Sequence, residues 1–200
     1  MPVLTHLPLT KCFYLCRHGQ SEFNARGILQ GHMESPLTAL GKQQARVLAS
    51  KTKQWNIQHI VSSHLGRAKQ TAEICAQQLS IAHHSLPGFA ERQLGCWQGQ
   101  ALQDLPEFTQ FQQHCYQHTS QPAGNAHGYG ETTDTVRQRI VAALHELATQ
   151  SFAENILIIS HGDALACLMS LFTTPVLLNN TQGMKLMYRS KNLHWAGLID

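Results

Sequence analysis

Three short stretches place chemically capable side chains directly after apolar runs: Arg17-His18-Gly19, Ser62-Ser63-His64 and His161-Gly162. Two of them carry an imidazole beside a glycine, and Arg67 follows the other within one helical turn. Imidazole is a competent nucleophile toward phosphorus, and a guanidinium fork matches the spacing of phosphate oxygens. Such a set asks for a phosphate ester. Its members lie far apart in the chain, so only a fold that gathers several strand ends can assemble them.

The elements that would do so can be read from periodicity and capping. Lys11 to Cys16 forms a strand, and Thr38 caps a helix to about Lys53, with Leu40, Val47 and Leu48 turned inward. Ile57 to Val61 forms a second strand. Ser62 and Ser63 then cap a helix through Gln78 that carries Leu65, Ala68, Ala72, Ile74 and Cys75 at helical spacing. Val136, Ile140, Leu144 and Leu147 mark a helix from about Thr133 to Gln150. Asn155 to Ser160 is a continuous apolar run, as a strand covered on both faces requires, and a helix follows to Phe172. Two weakly alternating segments between Met184 and Leu198 would add edge strands.

This alternation specifies an α/β fold, a three-layer α/β/α arrangement with a mainly parallel central sheet, as one domain over residues 1–200. From Gln98 to Gly130 the composition shifts to Gln, His and Gly. Leu102, Leu105, Phe108 and Phe111 mark one amphipathic helix there, and 120–130 reads as loop, so a small inserted lid is expected at about 98–130. Ligands of open parallel sheets bind beyond the carboxyl ends of the strands, where the three stretches above fall.

Composition narrows the partners. With 42% hydrophobic and 14% charged residues, the chain is too apolar for disorder, and 21 glutamines and 13 histidines make up the polar surface. No apolar run reaches the roughly 20 residues of a membrane span, which excludes a membrane partner. The start, MPVLTHLPLTK, lacks the pattern of a secretion signal, so a cytoplasmic location is expected. A net charge of +3 without clustered Lys and Arg excludes a nucleic-acid tract. Six scattered cysteines without a CxxC read as reduced, mostly buried thiols. Nothing in the sequence bears on oligomeric state.

The segment CRHGQSEFNARGILQG (16–31) resembles the phosphohistidine signature of the histidine phosphatase superfamily, in its phosphoglycerate-mutase-like branch. SPLTALGKQQA (35–45), SSHLGRAKQTA (62–72), AERQLGCWQG (90–99), GETTDTVRQR (130–139) and ISHGD (159–163) resemble its further motifs, in the family's order. The resemblance implies that His18 accepts the phosphoryl group, that Arg17, Arg67 and His161 hold its oxygens, and that Glu91 serves as acid and base. It further implies substrate contacts from Asn24, Gln30, Gly31, Ser21, Arg92 and Gly162. No metal and no cofactor is required, because the arginines supply positive charge.

The activity expected is a metal-independent phosphomonoesterase acting on a small phosphorylated metabolite through phosphohistidine. The loop Leu94-Gly-Cys-Trp-Gln-Gly99 looks like the phosphatase form, although Gln98 replaces its usual Glu. Alternatives are a phosphoglycerate mutase-type phosphotransferase and a catalytically inactive phosphate-ester-binding protein. Gln20 and Ser21 replace a commoner Glu and Thr, and Asp163 would repel a dianion unless it points away or pairs with a cation. Glu131 and Arg139 read as structural, and Trp97, Phe108 and Phe111 as packing. His83-His84 and His114, Cys115 and His118 read as surface residues rather than metal ligands. A Gln- and His-rich lid with few basic residues points to a monophosphate on a polar, uncharged body.

Overall fold

A computed structural model of the chain describes residues 10–124, 130–151 and 153–199. The part of the expected lid loop at 125–129, and the start of the chain through residue 9, lie outside the described residues. The strands are β1 (Lys11–Arg17), β2 (His59–Ser62), β3 (His83–Ser85), β4 (Asn155–Ser160), β5 (Gly183–Arg189) and β6 (Asn192–Ile199). They form one six-stranded sheet in the order β3-β2-β4-β1-β5-β6. The first four in that order run parallel, whereas β5 pairs antiparallel to β1 and β6 antiparallel to β5.

The helices are α1 (Glu22–Ala25), α2 (Ala39–Thr52), α3 (Gly66–Leu79), α4 (Pro106–His114), α5 (Thr133–Gln150) and α6 (Gly162–Met169). Alternation along β1 and β4 explains the layers. Phe13, Leu15, Ile156 and Ile158 face α5 and α6, while Tyr14, Cys16, Leu157 and Ile159 face α2 and α3. Both faces of the parallel strands are therefore covered, and the apolar run at Asn155 has its physical reason.

Local physics made most of these elements legible. Thr38 caps α2 by accepting from the Gly41 N–H at 3.0 Å, and Thr132 caps α5 by accepting from the Thr135 N–H at 3.0 Å. Val136, Ile140, Leu144 and Leu147 all lie in the core beneath α5. Three expectations need correction. Leu48 is buried, but Leu40 and Val47 are 54% and 45% exposed, since the apolar stripe of α2 runs through Ala45, Leu48 and Ala49. Ser62 and Ser63 do not cap α3. Leu65 is its N-cap, and the Glu34 carboxylate accepts from the Gly66 N–H at 3.0 and 3.1 Å. The helix after His161 stops at Met169 rather than Phe172.

Residues 94–123 build a separate small core. Leu94, Trp97, Leu105, Phe108, Phe111, Cys115 and Ala123 pack together, with Trp97 edge-on to Phe108 and Phe111 at 5.5 and 5.2 Å between centroids. Leu102 stands outside this cluster, in a short turn before α4. Cys16, Cys75, Cys115 and Cys167 are buried thiols, Cys12 is half-buried, and Cys96 is exposed.

Candidate active site

The parallel strands β1, β4 and β2 end side by side, and the residues that leave them meet. His18 follows β1, His161 follows β4, and Arg67 is the second residue of α3, which follows β2. The His18 and His161 rings lie 5.1 Å apart between centroids at an interplanar angle of 63°. Both are buried, as is Arg67.

The turn after His18 needs close backbone approach. A Cβ on Gly19 would run into the Gly41 carbonyl, and one on Gly41 into the Gln20 carbonyl. This lets the turn dock on the first turn of α2, where Gln44 Oε1 accepts from the Gln20 N–H at 2.8 Å. From α3, Thr71 Oγ1 accepts from the Gly19 N–H at 3.1 Å, and Gln70 Oε1 accepts from the Leu37 N–H at 3.0 Å. The glutamines and threonine of the helical motifs thus hold the loops that carry the chemistry.

The tautomer of His18 is set from both sides. Its Nδ1 lies 2.7 Å from the Gly19 carbonyl, which only accepts, so Nδ1 carries the proton. Its Nε2 lies 3.2 Å from Arg67 Nε, which only donates, so Nε2 keeps a lone pair. Arg67 also donates to the carbonyls of Met33 at 3.0 Å and Gly31 at 2.8 Å. Arg17 Nη1 donates to the Leu178 carbonyl at 2.7 Å. Among the described residues, three buried nitrogens beside this cluster have no partner: Arg17 Nε and both ring nitrogens of His161.

A pocket of about 250 Å³ opens beside these groups; Arg17, His18, Arg67 and Glu91 line it, whereas His161 is not among the residues of its wall and lies buried against His18. The Glu91 carboxylate lies at the start of α6. Its Oε1 accepts from the N–H groups of Ala164 at 2.8 Å and Arg92 at 2.9 Å. Arg139 holds the backbone beneath it, donating to the carbonyls of Gly88, Ala90 and Glu91 at 2.7–3.0 Å while pairing with Glu131. Glu131 and Arg139 are structural, as their positions suggested.

The family model described as histidine phosphatase superfamily (branch 1) matches residues 13–190. The chain belongs to this superfamily. A relative from Yersinia enterocolitica, named "Probable phosphoglycerate mutase GpmB", is 34% identical over 158 residues, which is 78% of this chain and 72% of the relative. Two solved structures share the fold. A mycobacterial glucosyl-3-phosphoglycerate phosphatase is 23% identical with a TM-score of 0.80, over 94% of this chain and 98% of that one. A phosphoglycerate mutase from Bacillus anthracis is 20% identical with a TM-score of 0.82, over 95% and 93%.

In this member of the superfamily, Asn24, Gln30, Gly31 and Gly162 also border the pocket. Asn24 Oδ1 accepts from the Ser21 N–H at 3.2 Å, and Gln30 Oε1 accepts from Ser21 Oγ at 2.9 Å. Ser21 itself is withdrawn from the wall and acts as the N-cap of α1. Gln98 packs against Gly31, where a Cβ would strike it, and its Oε1 accepts from the His32 N–H at 2.7 Å.

Arg92 is the clear departure from expectation. It is fully buried away from the pocket wall, with Nε 2.6 Å from Asp163 Oδ2 and Nη2 donating to Thr133 Oγ1 at 3.0 Å and Cys167 Sγ at 2.8 Å. Tyr116 donates to Asp163 Oδ1 at 2.7 Å. This ion pair resolves the anomaly of an acidic residue beside an anion site: Asp163 is neutralised by a cation. The signal that could have found it is the pair itself, an extra acid and an extra base on two motifs that meet in space.

Electrostatics follow from burial. Burial, and then Arg67 and Arg17, hold the His18 pKa well below its usual value, so its imidazole is neutral. Burial, with Arg67 next, does the same to His161. Burial pulls Arg67 down to about 10, still a cation at neutral pH. Glu91 is pushed up, first by burial and then by Asp163, against the opposing pull of Arg67. A neutral nucleophile, two cations and a reluctant carboxylate can bind a phosphate dianion and pass a proton across it. The His83-His84 and His114–His118 segments lie outside the pocket, and among the described residues no three His, Cys, Asp or Glu side chains group as a metal site would need.

Proposed function

We propose that this chain is a metal-independent phosphomonoesterase acting on a small phosphorylated substrate through a phosphohistidine at His18. The observation that carries the reading is the lone pair on His18 Nε2, held toward a pocket with Arg17 and Arg67 beside it and Glu91 across it.

In the first step His18 Nε2 attacks phosphorus, the N–P bond forms and the P–O bond to the leaving group breaks. Glu91, whose burial favours the protonated form, gives a proton to the departing oxygen. Arg67 turns its Nε–H from His18 to the phosphoryl oxygens, and Arg17 Nε and His161 supply further donors. In the second step Glu91 takes a proton from water, the oxygen of that water attacks phosphorus, and the N–P bond breaks to return His18 and release phosphate. Asn24, Gln30, Gly31 and Gly162 line the substrate site, and the segment at about 98–130 serves as its lid within one domain.

A second reading, a phosphoglycerate mutase, draws on the names of the Yersinia and Bacillus proteins. Only the acceptor differs: a substrate hydroxyl in place of water. The test is to incubate the protein with labelled phosphomonoester, quench in base, and locate an acid-labile, base-stable label. Label on His18, absent from His18→Ala, with hydrolysis persisting in EDTA, supports the proposal. Loss of activity with the chelator, or an active His18→Ala, overturns it. If 3-phosphoglycerate is rapidly isomerised when 2,3-bisphosphoglycerate is present, the mutase is selected.

A further inference from the structure

Away from the phosphate end, the pocket wall is hydrocarbon: Ile28, Leu29, Leu94, Leu102, Phe108 and Leu177. Its neutral polar side chains are Asn24, Gln30 and Gln112. Among the described residues the cations on the wall are Arg17 and Arg67, and both lie against His18. Arg92, the nearest further candidate, is consumed by Asp163, Thr133 and Cys167, and Arg139 by Glu131 and three carbonyls. Of the glutamines between 98 and 130, Gln112 reaches the wall as a neutral group and adds no charge. Gln98 is spent on the His32 N–H and Gln100 on the Cys96 carbonyl, whereas Phe108 and Leu102 reach the pocket.

A substrate with a second anionic group would have to strip that group of water and set it against leucines, with Arg92 already paired to Asp163 and no further cation on the wall among the described residues. An uncharged ring or alkyl body instead gains by leaving water on the same wall. We propose that the substrate is a phosphate monoester of an uncharged, largely apolar or aromatic alcohol, and that phosphoglycerates and bisphosphates are excluded because the third cation is sequestered. This rests on the phosphatase reading of the same site. It keeps the uncharged body expected from the lid sequence and replaces its polar character with an apolar one.

The test uses His18→Ala, which cannot turn substrate over. Calorimetric binding of 1-naphthyl phosphate, glucose 6-phosphate, 3-phosphoglycerate and inorganic phosphate is expected to rank the naphthyl ester first, at least about tenfold tighter than 3-phosphoglycerate. In the otherwise native chain, Leu102→Arg, at a position 42% exposed, is expected to shift the ratio of specificity constants toward 3-phosphoglycerate and away from 1-naphthyl phosphate by about tenfold or more. Equal binding of the four ligands, tighter binding of the phosphoglycerate, or an unchanged ratio in Leu102→Arg overturns the proposal. An apolar preference in binding without hydrolysis by the native chain would fault the phosphatase reading alone, and hydrolysis with the reverse preference would fault the specificity alone.

Discussion

The first turn of α6 separates two buried polar clusters that are each built around arginine and do opposite things. On one side Arg17, His18, Arg67 and His161 leave three buried nitrogens without partners among the described residues. On the other, Arg92 spends all three guanidinium nitrogens, on Asp163, Thr133, Cys167 and the Glu131 carbonyl, and Tyr116 closes the far oxygen of Asp163. Gly162 borders the first cluster, and Asp163, the next residue, anchors the second. Burial is therefore not what marks a site. A satisfied network ties the segment of Glu91 to α5, α6 and the lid, whereas an unsatisfied one withholds stability in order to hold a ligand.

The contrast breaks most sharply at His18. His18→Ala is expected to cut hydrolysis by at least about 10⁴-fold, since removing a covalent nucleophile disables the whole two-step route. Its unfolding midpoint should move less than that of any variant in the Arg92 cluster. Steady-state rates and urea titration on one preparation check both. Residual activity within tenfold of the native chain would mean that the cluster with open nitrogens is not the reactive one.

Asp163→Ala should show the reverse. It strands a fully buried guanidinium and is expected to cost about 3–5 kcal/mol of stability. Replacing both partners, Arg92→Met with Asp163→Leu, should recover most of that loss, because neither charge then has to be desolvated. Urea titration measures this. A loss under about 1 kcal/mol in the single variant would remove the distinction between the clusters.

How much of this was written in the sequence depends on how far each interaction reaches. The helix from Thr133 and the strand from Asn155 were legible because their caps and periodicity lie within a few residues. Strand β3 was not: His83-His84-Ser85 is polar and exists because its backbone pairs with Ile60 to Ser62 at the sheet edge. Glu34 reaches the start of α3 from a loop, so Ser62 and Ser63 were credited with a cap they do not make. The His18, Arg17, Arg67 and His161 constellation was readable because each member ends a parallel strand or lies in the segment that leaves one. Arg92 was not, since its partner Asp163 lies 71 residues along the chain and nothing beside Arg92 says which way it turns. Leu177, from a loop without periodicity, gave no signal for the apolar wall.

Glu91 stands between the clusters, and its raised pKa makes two consequences of opposite kind. As a proton donor it works below that pKa, so kcat/KM for an alkyl phosphate should fall as pH rises through it. Glu91→Gln should lose about 10²-fold on an alkyl phosphate and clearly less on p-nitrophenyl phosphate, whose leaving phenolate needs little help. The stability of Glu91→Gln shifts the other way from its activity. A carboxylate with a folded pKa above its unfolded value contributes stability that is complete below about pH 4.3 and lost as pH rises through the folded pKa. Glu91→Gln should therefore unfold at higher urea than the native chain at pH 7–8, with the gap closing toward pH 4. Equal losses on both esters would remove Glu91 as the proton donor.

The smallest effect sharpens the comparison most, because it reads the open nitrogens directly. His161 is fully buried and neutral, with its pKa depressed by burial and by Arg67, while in the unfolded chain it titrates near pH 6.5. The unfolded state then binds the extra proton, so the stability from His161 is present above about pH 6.5 and lost as pH falls toward the folded pKa, at up to about 1.4 kcal/mol per pH unit. His161→Asn removes that titration. Asparagine can change the level of stability at the start of α6, but not through a proton, so the slope below pH 6.5 is the quantity to compare. Glu91 titrates in both proteins and cancels in the difference. Inorganic phosphate should then flatten the slope of the native chain, because a bound anion accepts from the His161 ring and raises its folded pKa, and should flatten that of the variant less, since only His18 remains there to gain a proton. Identical slopes, with and without phosphate, would mean that the unpaired nitrogens of His161 do not face the anion.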